Sequence, residues 1–350
     1  METQKLRFLR MLLERRNEDS PVIYVQAMRE LESVARSYYA HKFMDMIEPK
    51  EFVQMLVLDG FFIIELFRKF AYSGNEDEEN LRLLWLHIDP PTTEFEEEKK
   101  INLVQMALIF FSGILPGPGL QPFNSLVQKG FKHLLGLVHE NWFLSHTRIR
   151  EHFKKPVSLI MDENGIFIPC AKKLLLSGIN FVKKDLIMIR HEHGISLLDI
   201  SFKNGVLYIP TLAVYQDTEC IFRNLIAFEQ FNKGPTPVTD YTRLMNCLIV
   251  DEDDVTMLSQ GGIITNYLGS NEDVASMFNK LNDFVYLSRD DFSYSMLFEA
   301  VNNYCQRPLT LWMATARKMQ FQIKVGSVIV ILLTAVQTVF AILSYIKQRN

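Results

Sequence analysis

The feature that most constrains this chain is a run of 22 consecutive residues without a charged side chain, Val325 to Ile346. A helix of that length spans about 33 Å at about 1.5 Å per residue, which is enough for a hydrocarbon core of about 30 Å. The run therefore predicts one transmembrane helix over 325–346, followed by a short tail at 347–350. Because so little chain follows this helix, its insertion is expected to be post-translational, as in tail-anchored proteins.

Small and polar residues of this run recur on one side of the predicted helix. Ser327, Thr334 and Ala341 are spaced by seven residues, and Gln337 lies near the same stripe. Small residues let membrane helices approach closely, and a Gln side chain in hydrocarbon needs a hydrogen-bond partner. We treat these four residues as candidates for membrane-helix association, and a plain anchor that tolerates Gln337 is the alternative.

Residues 1–324 have the composition of a soluble region on the cytosolic side. The formal net charge of the chain is -4, so the broad basic surface of a nucleic-acid-binding protein is not expected. The N-terminus has no apolar stretch typical of a signal peptide. The cysteines are scattered without CxxC or zinc-ligand spacing and are interpreted as buried small apolar residues: Cys170, Cys220, Cys247 and Cys305.

Hydrophobic spacing predicts a mainly α (α+β) fold, in which a helical body contains a small antiparallel β element at about 157–210. The best hairpin lies at 195–210, where Asn204-Gly205 suits a type I′ turn between alternating apolar residues. A short helix with the sequence AKKLLL precedes it and is expected to end at Gly178. Later helices are expected at 219–231 and after Asp251, with others near 272–286 and 291–305.

Catalytic motifs are absent from the sequence, which has no GxSxG, GxxxxGK, HExxH or GxGxxG string. His191 and His193 would share one face of a strand as half of a metal site, but no third ligand is indicated, and surface histidines are the alternative. Asp251, Asp253 and Asp254 fit a helix N-terminus better than a calcium loop. The sequence thus predicts no enzyme, no metal and no cofactor.

Several strings resemble the plant domain-of-unknown-function 247 family. They occur in the family's order and are METQKLRFLRMLLERR, LDGFFIIELFRKF, HLLGLVH, IPCAKKLLLSGINFVKK, LLDISFKNGVLYIPTL, TECIFRNLIAFEQ, FEAVNNYC and LLTAVQTVFAILSY. The resemblance implies a land-plant protein with a mainly helical body, a small β element, one C-terminal membrane helix and no catalytic residues. Its most telling strings are RNLIAFEQ and the C-terminal string with Gln337, and the first supplies a family-matching structural core: Arg223, Asn224, Glu229 and Gln230. For Glu229, an ion pair or a capped buried carboxylate is favoured over a perturbed acid.

These observations predict a tail-anchored, single-pass membrane protein that acts by protein–protein interaction or recognition. Its partners would be the lipid bilayer through 325–346 and an unidentified protein, with self-association as one option and no nucleic acid. The plasma membrane and the endomembranes fit equally well. The alternatives are a membrane-bound hydrolase or transferase with an unfamiliar site, and a degenerate family member without function.

Overall fold

The structure is a computed structural model that describes residues 2–39, 47–72, 102–113, 115–117, 133–141, 167–184, 196–232, 234–286, 292–307, 333–334 and 336–338. These residues belong to two compact units. Unit 1 comprises α1 (Glu2–Arg16), α2 (Val22–Ser37), α3 (Pro49–Tyr72) and α4 (Leu103–Ser112).

Unit 2 combines helices with short strands. In chain order its elements are α5 (Ala171–Leu176), β1 (Asn180–Lys183), β2 (Ser201–Lys203), β3 (Val206–Ile209), β4 (Leu212–Val214), α6 (Thr218–Phe231), α7 (Pro237–Leu248), α8 (Glu252–Gln260), β5 (Ile264–Asn266), α9 (Asn271–Leu281) and α10 (Ser295–Cys305). Residues 134–141 are also helical. The mainly helical part of the predicted fold class is therefore confirmed.

Unit 1 is built around the apolar helix α3, against which α1, α2 and α4 pack. The core includes Leu12 from α1 and Val53, Val57 and Phe61 from α3. Arg15 of α1 donates two hydrogen bonds to the buried Glu65 of α3, at 2.8 and 2.6 Å. Because this carboxylate would be costly to bury alone, the bidentate pair fixes the register between the two helices.

The β element of unit 2 is mixed, not antiparallel as the sequence predicted. β2 and β3 form the expected antiparallel hairpin, but β1 adds to the other edge of β3 in parallel. A separate parallel pair, β4 and β5, joins two segments of unit 2 that are 52 positions apart in the chain, as in the pair of Leu212 with Ile264. Parallel pairing needs a crossover between distant segments, and local alternation of apolar residues carries no signal for it.

Local turn and cap signals were predicted correctly. Asn204 and Gly205 have φ values of 53° and 78°, as a type I′ turn requires. α5 ends before Gly178, which has a φ of 84°. Asp251 is the N-cap of α8, and its carboxylate accepts a hydrogen bond from the Asp254 backbone N–H at 3.1 Å.

The predicted transmembrane helix must be corrected. Among the residues that the structure describes, no helix is long and apolar enough to cross a membrane. Of the span 325–346, only 333–334 and 336–338 are described, in helical conformation, and the others lie outside the described residues. A C-terminal membrane helix and a single-pass membrane localisation are therefore not supported, because the length argument that predicted them finds no matching helix.

Candidate protein interface

The candidate site is an exposed surface along α6 and the segment that follows α9. The RNLIAFEQ string lies on α6, and its side chains divide between the core and solvent. We call the solvent-facing part the α6 surface, and it consists of Arg223, Asn224, Ala227, Gln230, Phe231, Phe284 and Tyr286.

Two side chains of α6 hold the neighbouring segment in place. The Gln230 amide donates to the Tyr286 carbonyl at 3.2 Å and accepts from the Tyr286 N–H at 3.1 Å. Two turns earlier, the Arg223 guanidinium donates to the Lys280 carbonyl at 3.5 Å and to the Glu219 carboxylate at 2.8 Å. The end of α9 and the residues after it are therefore tied to α6 at two points.

Three aromatic side chains project from this surface. Phe231 is 90% exposed, Phe284 is fully exposed and Tyr286 is 78% exposed. Since a large aromatic side chain buries about 150–250 Å² when covered, the three together offer roughly 450–750 Å² of contact area. Patches of this size on a soluble protein often serve binding.

Phe284 has an unusual backbone for an aromatic residue. Its φ is +62°, in the left-handed region that bulky side chains rarely adopt, and its ring is not buried in the protein core. Such a conformation costs on the order of 1–3 kcal/mol. The fold therefore maintains an unfavourable backbone at a residue whose side chain contributes nothing to packing.

The buried side of α6 is fixed by Glu229, whose carboxylate caps the next helix. It accepts hydrogen bonds from the backbone N–H groups of Val238 and Thr239, both at 2.8 Å, and from the Thr239 hydroxyl at 2.6 Å. His139 Nε2 lies 2.8 Å from the same carboxylate. These contacts place a negative charge at the N-terminus of α7, where the helix dipole favours it. Glu229 is thus both capped and paired with a histidine.

A second group of buried polar residues lies on α7 and at the start of α10. Asp240 accepts a hydrogen bond from the Ser293 N–H at 2.8 Å. Burial raises the pKa of Asp240 to about 7; the negative Glu229 adds to the rise, whereas the Ser293 hydrogen bond and the Arg243 charge oppose it. Burial also raises the pKa of Tyr241, whose hydroxyl has no hydrogen-bond partner in the described structure. Asp240 and Tyr241 are thus both shielded from solvent.

The other residues singled out from the sequence are dispersed. Thr334 and Gln337 are helical and exposed, whereas Ser327 and Ala341 lie outside the described residues, as do His191 and His193. In the described part of the chain no group of three or more His, Cys, Asp or Glu side chains is arranged to hold a metal ion.

The acidic and thiol groups singled out from the sequence have structural contacts. Asp254 is buried and accepts from the Lys172 N–H near the start of α5, while Asp253 pairs with the Lys172 ammonium. All four cysteines are free thiols, but none is fully buried, and Cys220 is exposed. The expectation that they are buried small apolar residues was therefore wrong for Cys220 and only partly met by the others.

Comparison with known proteins identifies the family. The family model for a plant protein of unknown function, DUF247, matches residues 1–90 and 81–340. The chain therefore belongs to this plant family, which confirms the resemblance found in the sequence.

Two curated relatives come from Arabidopsis thaliana. UPF0481 protein At3g47200 is 26% identical over 393 aligned residues, which span 100% of this chain and 80% of the relative. The putative UPF0481 protein At3g02645 is 31% identical over 139 residues, 39% of this chain and 26% of the relative. No solved structure matches the chain.

Sequence reasoning selected Arg223, Asn224, Glu229 and Gln230 but missed the three aromatic residues beside them. Of the selected four, the structure places only Glu229 in the core, and the others lie on the exposed face of α6. The apolar character of Phe231 and Phe284 predicts burial, so their exposure had no signal in the sequence. The left-handed conformation of Phe284 is equally invisible there, since Gly or Asn is the usual sign of a positive φ.

Proposed function

We propose that this protein acts by binding another protein through the α6 surface, without catalysis. The observation that carries the proposal is the exposure of Phe231, Phe284 and Tyr286 around the hydrogen bonds of Gln230. Aromatic residues and Arg are enriched in protein interfaces, where a few buried aromatic anchors supply most of the binding energy. Arg223 lies on the same helix face, two turns from the aromatic group.

The charges of this surface favour a largely apolar contact. Arg223 is neutralised by Glu219 at 2.8 Å, and Lys280 and Asp283 add one charge of each sign nearby. A surface without net charge attracts a partner by apolar burial and shape, not by long-range steering. We therefore expect binding that changes little with salt concentration.

The absence of catalysis is part of the proposal. The acidic groups in unit 2 whose pKa values burial raises strongly, Asp240, Tyr241 and Tyr294, are all buried side chains. A general acid or base must reach a substrate within hydrogen-bond distance. Exposed aromatic side chains and sealed ionisable groups suit a binding protein better than an enzyme.

The test is affinity capture from plant tissue extract with the full chain as bait. The double variant Phe231→Ser/Tyr286→Ser should retain at least about tenfold less of the specific partner than wild type, since truncation of a central aromatic anchor costs about 2 kcal/mol or more. Val250→Ser is the matched control, because Val250 is 58% exposed in the same unit but outside the α6 surface. If the double variant and the control retain the same partners in the same amounts, the α6 surface is not the binding site.

A further inference from the structure

A second apolar surface lies in unit 1, on the outer face of α2. The inner face of this helix packs against the unit 1 core through Tyr24, Val25 and Met28. The outer face carries another apolar row, which we call the α2 stripe: Ile23, Ala27, Leu31, Val34 and Tyr38. Ile23 is 68% exposed and Tyr38 is 75% exposed, so both ends of the stripe are open to solvent.

The spacing of the stripe is that of a helix-pairing seam. Leu31 and Val34, which are 55% and 54% exposed, lie at its centre, with Ala27 one turn before and Tyr38 one turn after. At about 100° per residue the five side chains fall within roughly 80° of one another, and the row is about 22 Å long. Apolar residues separated by three or four positions form a row against which the side chains of a facing helix can pack.

The negative charge of Glu30 beside the α2 stripe favours a partner with basic side chains. Glu30 borders it and makes no ion pair among the described residues, whereas the nearby Glu32 and Arg36 pair with each other at 2.5 Å. Gln26 and Ser33, on the same border as Glu30, carry no charge. The border therefore carries one unpaired negative charge, which a basic side chain on a facing helix would complement.

A second copy of this chain fits the stripe poorly. In an antiparallel pair, Ile23 would face Tyr38 of the other copy and Ala27 would face Val34, because both pairs of numbers add to 61. The symmetry axis then passes between positions 30 and 31, so the two Glu30 carboxylates would lie close together and repel. A parallel pair would leave both carboxylates without a cation.

We propose that the α2 stripe docks an amphipathic helix of a partner protein that carries Lys or Arg beside its apolar row. This is the helix-in-groove mode of recognition, in which anchors at i, i+3, i+4 and i+7 supply apolar contact and flanking charges set specificity. The surface belongs to a different unit from the α6 surface, so it adds a second recognition site that does not depend on the first.

The test uses the full chain and two labelled probe peptides, measured by fluorescence anisotropy. Each probe is a 21-residue helix with Leu at heptad positions a and d, and the probes carry either Lys or Glu at positions e and g. Wild type should bind the Lys probe about 3- to 10-fold more tightly than the Glu probe, and Glu30→Lys should reverse this preference. Leu31→Ser/Val34→Ser should weaken binding of the Lys probe at least about tenfold, whereas Leu6→Ser, at a residue 43% exposed on α1, should leave it unchanged.

Three outcomes would overturn the proposal. The first is equal binding of the Lys probe by wild type and the Leu31→Ser/Val34→Ser variant, with circular dichroism showing both folded. The second is a probe preference that Glu30→Lys does not reverse. The third is a concentration-dependent dimer in sedimentation that disappears in Leu31→Ser/Val34→Ser, since the stripe would then be occupied by a second copy. Because the α6 variants leave α2 intact, failure here is separable from failure of the α6 surface.

Discussion

Glu229 shows how one buried side chain can fix the helix that presents the α6 surface. Its carboxylate accepts hydrogen bonds from two backbone N–H groups of α7 and from one hydroxyl, and His139 also contacts it. Each carboxylate oxygen is used, so the buried charge is stabilised where the N-terminal dipole of α7 is strongest. This buried contact holds α6 in place and thereby positions the exposed residues on its other face.

The variant Glu229→Gln should destabilise the protein by about 2–4 kcal/mol. The neutral amide keeps the shape but turns an NH₂ group toward the N–H donors of α7, and it removes the negative charge that His139 faces. Urea unfolding gives the loss directly. Glu272→Gln, on the exposed first turn of α9, should change stability by about 0.5 kcal/mol, and equal losses in the two variants would contradict a special role for Glu229.

Asp240 should give the protein a measurable pH dependence. Burial raises its folded pKa from 3.8 to about 7, so between these values the folded state holds a proton that the unfolded state has released. Stability therefore falls as the pH rises through this window, and the fall ends above about pH 7, where both states are ionised. At about 1.4 kcal/mol per unit, the contribution amounts to a few kcal/mol.

Unfolding of wild type and Asp240→Asn at pH 5 and pH 8 tests this dependence. Relative to the variant, wild type should lose about 1–3 kcal/mol between the two pH values, because only wild type must ionise a buried carboxyl. Asp283→Asn, at an exposed position, should follow wild type. A constant difference between wild type and Asp240→Asn across the range would show that Asp240 ionises normally in the folded protein.

At the scale of elements, the hairpin between β2 and β3 depends on a backbone that only glycine adopts easily. Gly205 has a φ of +78°, and a Cβ there would clash with the Tyr304 hydroxyl of α10. Gly205→Ala should therefore cost about 1–3 kcal/mol in urea unfolding, from backbone strain and displacement of Tyr304. Gly234→Ala is the control, since nothing lies near its added Cβ. A neutral Gly205→Ala would contradict the turn geometry.

The same hairpin marks how far the sequence could predict the fold. Asn204-Gly205, Gly178 and Asp251 act through neighbouring residues, so turn and cap signals located them correctly. β1 reaches β3 in parallel through pairs such as Asn180 with Val206, and β4 reaches β5 from 52 residues away. Those pairings are decided by packing between distant segments, for which a single sequence has no local signal.

The candidate site was predictable only in part for a related reason. Hydrophobic spacing correctly put Glu229 among apolar residues of a helix, but its partner His139 is 90 positions away. The exposure of Phe231 and Tyr286 contradicts their apolar character, and binding surfaces are where such local rules are expected to fail. The transmembrane helix was predicted wrongly because the prediction used only the length of the segment and its lack of charged residues. Neither property shows that the segment forms one continuous helix.

At the scale of the whole molecule, each unit exposes apolar side chains that its own core does not use. Unit 1 presents the α2 stripe, and unit 2 presents the α6 surface. Exposed apolar area lowers solubility and contributes nothing to folding, which fits the binding roles proposed for both surfaces. Variants at such positions should separate binding from stability.

A substitution at Phe284 should separate binding from stability most clearly, because the side chain is fully exposed while the backbone is strained. Asn tolerates the left-handed region, so Phe284→Asn should raise stability by about 0.5–1 kcal/mol in urea unfolding. The same change removes an aromatic anchor and should reduce capture of the specific partner by about tenfold or more. Phe231→Asn, at the end of α6 without a positive φ, should reduce capture without the gain in stability. If Phe284→Asn instead lowers stability while capture is kept, Phe284 serves the fold and not the interface.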